Sequence, residues 1–319
     1  MRRRRGAHRA RLPAAGRLRR RARDRSPRRL PVVTARRSLA GALALAALLA
    51  ACGAGASRRP AQAQATCPSA GRHVVDGGVL RVPSGAKPGA TPLIVVVIPG
   101  GGGDKGDRLG IGRAGTRAGF GVLWPTRAAG GFWTLNDAQG TTDVTNVSDT
   151  IDAVVSSCFD PRRVSITGVS NGAGFAARMA CERPDRFAAV VPVAAGYRAL
   201  DPCPADARMS FLDIHGTADT VVPYNGKKPD RKGNVPRYTA RWARGDGCST
   251  RPRASHPQRL VTRYVYRGCD SGLRVEAVRL TGTDHGWPGA GPPLPSHNPS
   301  GFDATPAVVR FVRAARRAG

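Results

Sequence analysis

The sequence predicts an α/β fold in which helices cover a mainly parallel sheet. From about residue 70 onward, strand-like apolar runs alternate with amphipathic segments, which is the pattern of a parallel sheet. The run 92–98 is continuously apolar, as in a strand that is buried on both faces. The segment 143–157 instead spaces its valines and its isoleucine as one face of a helix. The sequence contains no internal repeat and no sign of a second domain.

The remaining elements follow the same alternation. The turn residues Asp76-Gly77-Gly78 predict a hairpin over 73–82. Further strands are predicted at 119–124, 163–167, 187–194, 210–214, 260–266 and 273–280. Helices are predicted at 107–118, 171–181 and 304–317.

The first part of the chain predicts a leader rather than a folded core. Residues 1–32 are Arg-rich and low in complexity, so they predict a disordered basic leader and suggest that the natural start lies near Val33. Residues 33–52 predict a signal peptide, because a basic pair precedes an apolar run that is too short to span a bilayer. Residues 53–69 predict a tether, and 70–319 predict the folded domain.

The cysteines favour an exported protein. Leu49-Ala50-Ala51-Cys52 resembles a bacterial lipobox, in which Cys52 would be lipid-modified; cleavage by an ordinary signal peptidase is the alternative. The six other cysteines are an even number, which fits three disulfides in an oxidising compartment. Cys248 and Cys269 flank a strand-like segment and are expected to pair. No cysteine or histidine spacing predicts a zinc site, so no metal is expected.

The positive charge does not predict a nucleic-acid-binding protein. The formal net charge is +30, but residues 1–51 hold 16 of the 51 Lys and Arg and only one of the 21 acids. The remaining basic residues are scattered, with neither an aromatic-interleaved stripe nor a nucleic-acid motif. We therefore expect no nucleic-acid partner, a membrane contact only through the lipid anchor, and a monomer.

The motif Gly168-Val169-Ser170-Asn171-Gly172 lies between a predicted strand and a predicted helix. In this context the motif is typical of a nucleophile elbow, a sharp turn that lifts a serine out of the sheet. The pentapeptide alone is weak, because a chain with 40 glycines produces such matches by chance. A glycine-rich turn with an idle serine is therefore the alternative interpretation.

An acid and a base follow Ser170 in the order that this chemistry uses. Asp219 comes directly after the strand 210–214, at the carboxyl end of the sheet. His285 follows the last predicted strand, in a loop rich in glycine and proline. Serine needs a base within hydrogen-bond reach, and the base needs a carboxylate to fix its tautomer. We therefore predict Ser170 as nucleophile, His285 as general base and Asp219 as the orienting acid.

Other acids and histidines are poorer candidates. Asp213 lies within its strand, and Asp284 is the immediate neighbour of His285, so neither is well placed to orient that ring. His215 ends a strand too early, which favours a structural role. The other competing histidines are His73, His256 and His297.

Three stretches resemble the polyhydroxybutyrate depolymerase-like esterases, which are similar to the feruloyl and acetylxylan esterases of carbohydrate esterase family one. They are residues 160–173, residues 215–224 and the run 285–289. The resemblance implies an α/β-hydrolase fold and ester hydrolysis through an acyl-enzyme, with no cofactor. The ester would be a polyester, a polysaccharide ester or a small ester, and the enzyme would be extracellular or held at the cell envelope.

The oxyanion donors and the substrate wall are the remaining expectations. The backbone N–H groups of Asn171 and Gly101 are predicted to hold the oxyanion. The family's glycine loop usually begins His-Gly, whereas this one begins Pro99-Gly100, and proline removes an N–H donor. Trp133 and Trp287 predict either an aromatic wall for the substrate or packed core side chains. A non-catalytic envelope lipoprotein of the same fold and a serine peptidase are the alternative functions.

Overall fold

The computed structural model describes residues 66–105, 107–127, 129–197, 203, 207–226, 234–290 and 297–317. These residues all fall in one compact unit. The predicted basic leader, signal peptide, lipid-modified Cys52 and most of the tether lie outside the described residues. Within the part of the chain that is described, no helix has both the length and the apolar character needed to cross a membrane.

The strands of the described residues form one mixed sheet. In chain order they are β1 (Gly71–Val75), β2 (Gly78–Val82), β3 (Thr91–Val97), β4 (Gly121–Pro125), β5 (Phe159–Val169), β6 (Ala189–Val193), β7 (Ser210–Gly216), β8 (Arg253–Gln258), β9 (Val261–Tyr266) and β10 (Val275–Leu280). Their spatial order is β1-β2-β4-β3-β5-β6-β7-β10-β9-β8. The neighbours from β4 to β10 pair in parallel, and antiparallel strands flank them on both sides.

Helices lie on both faces of this sheet. They are α1 (Ile111–Arg117), α2 (Thr142–Cys158), α3 (Ser170–Glu182), α4 (Val235–Gly245) and α5 (Ala304–Arg313). Helices α2, α3 and α4 pack into one apolar cluster, and α1 and α5 pack into the cluster on the opposite face. Strand β3 sends Leu93, Val95 and Val97 into the first cluster and its other apolar side chains into the second. Burial on both faces explains why the β3 sequence is continuously apolar.

Most of the elements predicted from the sequence are confirmed, with bounds that differ by up to four residues at either end, as they do at the start of α1. This helix begins at Ile111 rather than at 107, because the Asp107 carboxylate lies outside the helix and caps it. Its two oxygens accept from the backbone N–H groups of Gly112 and Arg113, each at 2.8 Å. Helix α4 and strand β8 were not predicted from the sequence.

The six cysteines that follow Cys52 pair in three disulfides, as expected. They are Cys67–Cys158, Cys181–Cys203 and Cys248–Cys269. The third is the pair that the sequence singled out. The first ties the start of the described chain to the end of α2, across 91 residues of sequence. Of the three, it therefore closes the longest loop.

We predict that Cys67→Ser/Cys158→Ser destabilises the protein more than Cys248→Ser/Cys269→Ser does. The two disulfides close loops of 91 and 21 residues. Loop-closure entropy then predicts a loss in the free energy of unfolding that is about 1.3 kcal/mol larger for the first pair. Guanidinium unfolding of both double variants measures the difference. An equal loss, or a larger one for the 248–269 pair, would contradict the loop-entropy account.

Candidate active site

The carboxyl ends of the parallel strands bring the three predicted catalytic residues to one edge of the sheet. Ser170 follows β5, Asp219 lies three residues after β7, and His285 lies five residues after β10. Strands β7 and β10 are direct neighbours, and only β6 separates β5 from β7. Residues that are 115 positions apart in the sequence can therefore meet without any long excursion of the chain.

Ser170 occupies a left-handed backbone conformation, with φ of 57°. This value is unusual for a residue that carries a side chain, and such strain is concentrated at functional sites. The strained serine is both the residue after β5 and the first residue of α3. The chain thus turns sharply from strand to helix at Ser170, which is the geometry of the nucleophile elbow that the motif predicts.

The two glycines of the motif are required because the end of β3 passes directly against the turn. A Cβ atom on Gly168 would lie 2.4 Å from the carbonyl oxygen of Val97, and one on Gly172 would lie 2.3 Å from the same oxygen. Both distances are far shorter than real carbon contacts. Positions 168 and 172 must therefore be glycine, because β3, the strand next to β5, leaves no room there for a side chain.

Ser170, His285 and Asp219 form a continuous hydrogen-bonded chain. The Oγ atom of Ser170 lies 2.7 Å from Nε2 of His285, and Nδ1 of His285 lies 2.8 Å from Oδ2 of Asp219. An ionised carboxylate only accepts hydrogen bonds, so Nδ1 carries the proton and Nε2 is free to accept one from the serine. The Asp219 side chain is fully buried, and that of His285 is 19% exposed.

The carboxylate of Asp219 is surrounded by four polar groups. Its Oδ1 accepts from the backbone N–H groups of Val221 and Val222, at 3.0 and 2.6 Å. Its Oδ2 is shared by His285 and by Nε2 of His215, the latter at 3.2 Å. Burial alone would raise the pKa of Asp219, but the hydrogen bonds from His215, His285 and Val222 outweigh it and hold the pKa well below its usual value. Asp219 is therefore ionised when its partner histidine is neutral.

The glycine loop 100–103 lies after β3 and is fixed at several points. Each of its glycines has a positive φ, between 77° and 88°. The Trp133 indole donates to the carbonyl of Ile98 at 2.8 Å, just before the loop, and the carbonyl of Gly101 accepts from the backbone of Arg127 at 2.8 Å. The proline at position 99 thus leads into a well-anchored loop.

Asn171 lies in the first turn of α3, where the helix offers its backbone N–H no acceptor. Its side chain is clamped to the backbone of Trp133: the amide oxygen accepts from the Trp133 N–H at 2.8 Å, and the amide nitrogen donates to the Trp133 carbonyl at 3.1 Å. This pair of bonds fixes the start of α3 against the loop that precedes α2. The sequence predicted a backbone role for Asn171 but did not predict this clamp.

Both tryptophans proposed as a substrate wall are core residues, which corrects that expectation in favour of its alternative. Trp133 is 1% exposed and stacks on Phe175, with ring centroids 4.7 Å apart. Trp287 is fully buried, and its indole N–H donates to Thr305 at 2.9 Å. A side chain that is closed off from solvent cannot form the wall of a substrate cleft in this conformation. Their hydrogen bonds instead fix the loops around the site.

The poorer candidates lie apart from the Ser170–His285 contact. Asp284 does not orient His285, whose Nδ1 is bonded to Asp219 instead. His73 is bonded to the carbonyl of Ser69, and His256 lies 3.3 Å from the hydroxyl of Thr262. His215 does lie within a strand, as expected, yet it contacts Asp219. The sequence analysis missed this contact, although a His and an Asp four residues apart at the end of a strand could have signalled it.

Comparison with known proteins shows which family the residues around this site resemble. Residues 78–221 match the model of the family described as "Esterase PHB depolymerase". This part of the chain is similar to the PHB depolymerase-like esterases. The match includes the glycine loop, the elbow with Ser170, and Asp219. The resemblance that the sequence motifs carry is therefore confirmed.

Two curated relatives are esterases by name. The chain is 28% identical over 139 residues to "Feruloyl esterase B" of Piromyces equi, covering 40% of this chain and 26% of that protein. It is 31% identical over 153 residues to "Putative esterase NocK" of Nocardia uniformis subsp. tsuyamanensis, covering 41% of this chain and 44% of that protein. The chain thus spans less than half the length of the curated relatives that it matches.

A solved structure extends the likeness beyond the family match. The acetyl xylan esterase from Aspergillus awamori superposes with a TM-score of 0.50 at 17% identity, covering 68% of this chain and 94% of that one. At this identity the likeness shows the fold alone. The predicted α/β-hydrolase fold is confirmed.

We predict that Gly172→Ala lowers the free energy of unfolding by about 1–3 kcal/mol, the usual cost of overpacking. The added methyl would lie 2.3 Å from the Val97 carbonyl, so β3 and α3 must separate. The matched control is Gly245→Ala, at the end of α4, where a Cβ meets nothing within 4 Å. The control should be neutral or stabilising by up to about 1 kcal/mol. Chemical denaturation measures both, and equal effects would contradict the close approach of the Val97 carbonyl to Gly172.

Proposed function

We propose that this protein is a serine esterase that hydrolyses carboxylic esters through an acyl-enzyme. The observation that carries the proposal is the hydrogen-bonded chain from Ser170 through His285 to Asp219, with the serine strained at a strand–helix turn. A nucleophile, a base and an orienting acid in this geometry are the parts that acyl transfer needs. The esterase family of the surrounding residues supports the same reaction.

In the acylation step, Ser170 Oγ attacks the ester carbonyl while its proton passes to Nε2 of His285, 2.7 Å away. The resulting imidazolium is stabilised by the Asp219 carboxylate at 2.8 Å. His285 then gives the proton to the departing alcohol. Water attacks the acyl-enzyme by the same route, and the carboxylic acid leaves as Ser170 regains its proton.

The oxyanion of the tetrahedral intermediate needs backbone donors. We assign this role to the N–H groups of Asn171 and Gly101. Asn171 follows the nucleophile in the first turn of α3, and its side chain is clamped to Trp133 so that the N–H is held in place. Gly101 lies in the anchored loop after β3, the neighbour of β5. Each preorganised donor of this kind contributes about 3 kcal/mol to stabilising the transition state.

The substrate class is proposed from the relatives. One match is to a protein named feruloyl esterase and another is to a structure named acetyl xylan esterase, and the family model is named for PHB depolymerase. We therefore propose an ester of a polysaccharide or of a hydroxyalkanoate, cleaved without a cofactor. The buried Trp133 and Trp287 leave the acyl pocket to other side chains.

We further propose that the protein is exported. Three disulfides support an oxidising compartment, because cytosolic proteins seldom hold structural disulfides. Anchoring through a lipid on Cys52 stays a prediction of the sequence, as do a monomeric state and the absence of a nucleic-acid partner.

The test is hydrolysis of matched acetyl, feruloyl and 3-hydroxybutyrate esters by the wild type, Ser170→Ala and Asp219→Asn. We expect Ser170→Ala to lose essentially all turnover and Asp219→Asn to lose about 10⁴-fold in kcat, because the imidazole loses its orienting charge. Ser156→Ala is the matched control, since among the described residues that exposed hydroxyl bonds only a carbonyl within α2. Undiminished hydrolysis by Ser170→Ala would overturn the proposal, and faster cleavage of the corresponding amides would favour a peptidase.

A further inference from the structure

A cavity that the proposed reaction does not use lies on the face of the sheet that α4 covers. Its volume is about 390 Å³, and side chains from α4, β9, β10 and the segment after β7 line it. Its floor includes Ala277 of β10, which pairs with Asp213 of β7 on one side and with Tyr264 of β9 on the other. Because alanine is small, the surface of the sheet is recessed at this point. We call this space the tyrosine cavity, after Tyr224, Tyr264 and Tyr266, which line it.

The tyrosine cavity reaches the support of the catalytic acid but not the nucleophile. The Tyr224 ring meets the His215 ring edge-on with centroids 6.0 Å apart, and Nε2 of His215 lies 3.2 Å from Oδ2 of Asp219. Among the described residues that line the cavity there is neither Ser170 nor His285. A molecule bound there therefore lies beside the catalytic residues and does not cover the reacting bond.

The three tyrosines present free hydroxyl groups to this space. Tyr224 and Tyr266 are each 8% exposed, and Tyr264 is half-buried. None of the three hydroxyls has a hydrogen bond to a described residue, and none is closed off from solvent. Burial is the largest cause that raises the pKa of Tyr224. The neighbouring Asp213, Tyr264 and Tyr266 raise it further, so the Tyr224 hydroxyl keeps its proton and is able to donate.

Arg279 supplies a positive charge that no described carboxylate neutralises. Its side chain is half-buried, and its guanidinium has no hydrogen bond or ion pair with any described residue. None of the described residues that line the cavity is acidic. Burial raises the pKa of Tyr224 and the charge of Arg279 opposes that rise, so the two side chains lie close to each other. The cavity is therefore suited to an anion.

A guanidinium, several hydroxyls and aromatic rings together select a class of ligand. A guanidinium matches the two oxygens of a carboxylate. Tyrosine hydroxyls both donate and accept, so they suit the hydroxyl groups of a sugar, and the ring faces offer apolar surface to its C–H groups. Thr217 and Asn225 add a further hydroxyl and an amide. The volume falls within the range of about 300–1,000 Å³ that is usual for small-molecule sites.

We propose that the tyrosine cavity binds a uronate, which is a sugar unit that carries a carboxylate. Arg279 holds the carboxylate, and the hydroxyls of Tyr224, Tyr264 and Tyr266 bind those of the sugar ring. A short hydroxy acid such as 3-hydroxybutyrate has the same carboxylate but only one hydroxyl, so it leaves most of these groups without a partner. In the substrate, the uronate is a unit of the polysaccharide near the one whose ester is cleaved; this link rests on the proposed esterase function.

The test is calorimetric titration of the full chain with D-glucuronate, D-glucose and 3-hydroxybutyrate. We expect saturable binding of glucuronate and binding of glucose that is at least about tenfold weaker, because glucose has no carboxylate for the guanidinium. 3-Hydroxybutyrate should also bind more weakly than glucuronate. Glucose binding as tight as that of glucuronate would contradict the proposal, and tighter binding of 3-hydroxybutyrate would overturn the assignment of a sugar.

Two variants and a control locate the binding. Arg279→Met keeps the length of the side chain but loses its charge, so it should weaken glucuronate binding about tenfold or more and leave glucose binding unchanged. Tyr264→Phe removes one hydroxyl and should weaken both sugars by about two- to tenfold. The matched control is Arg313→Met, at the exposed end of α5 on the opposite face of the sheet, which should bind as the wild type does.

Wild-type glucuronate binding by Arg279→Met, or an equal loss in Arg313→Met, overturns the proposal. If Arg279→Met does not fold, Tyr264→Phe decides the matter: weaker binding of both sugars supports the cavity, and unchanged binding refutes it.

A kinetic measurement tests the link to the substrate. Acetylated oligosaccharides of equal length, with and without one uronate unit, are compared as substrates. Arg279→Met should raise KM about tenfold for the uronate-bearing substrate relative to the other, with little change in the ratio of their kcat values, because the cavity binds the sugar away from the reacting bond. An unchanged KM ratio would overturn the link. A wild type that binds glucuronate but cleaves no ester refutes only the proposed function, whereas cleavage without glucuronate binding refutes only the cavity.

Discussion

The carboxylate of Asp219 is the group on which the rest of the site depends. It is buried, yet it stays ionised because two backbone N–H groups and His285 donate to it, and Nε2 of His215 lies 3.2 Å from it. The charge favours the His285 tautomer that carries its proton on Nδ1. In the other tautomer Nε2 would carry the proton, and Ser170 would face a donor instead of an acceptor. The turn 219–222 supplies two of these donors from its own backbone, so the acid and its support are encoded in one short stretch of sequence.

A second constraint fixes the serine end of the same chain of bonds. The carbonyl of Val97 occupies the space that a side chain on Gly168 or Gly172 would need. Strand β3 can therefore pass close to the elbow, which brings the glycine loop to the nucleophile's edge of the sheet. The strain at Ser170 is sustained by this packing and by the buried strand that precedes it. The strained backbone of Ser170 thus depends on the packing of β3 against the elbow.

Much of this arrangement could be predicted from the sequence because its determinants are local. Three features can be interpreted from short stretches of sequence without knowledge of distant contacts. They are the apolar run of β3, the glycines around Ser170 and the order of serine, acid and histidine. Helix α4 was missed although Val235, Tyr238, Thr239 and Trp242 recur at helical spacing after the capping Asn234. Strand β8 is exposed along its whole length, so no burial pattern marks it in the sequence.

What the sequence could not predict depends on side chains that meet across the fold. The roles of Trp133 and Trp287 were open because the sequence around a tryptophan does not show whether its indole lines a cleft or fills the core. The burial of the two side chains in the fold distinguishes these roles. The contact of His215 with Asp219 was missed for a similar reason. The role of a histidine at the end of a strand depends on which carboxylate lies next to it. Here the turn after β7 brings Asp219 next to His215.

The most direct test of the central claim is to label the folded protein with a fluorophosphonate at neutral pH and to map the modified peptide by mass spectrometry. The account predicts a single adduct on Ser170 that forms rapidly in the wild type and much more slowly when His285 is replaced by alanine, because only the His285-bonded serine is activated. Absence of the adduct from folded wild-type protein, or its formation on another serine at an undiminished rate in the His285→Ala variant, would contradict the account.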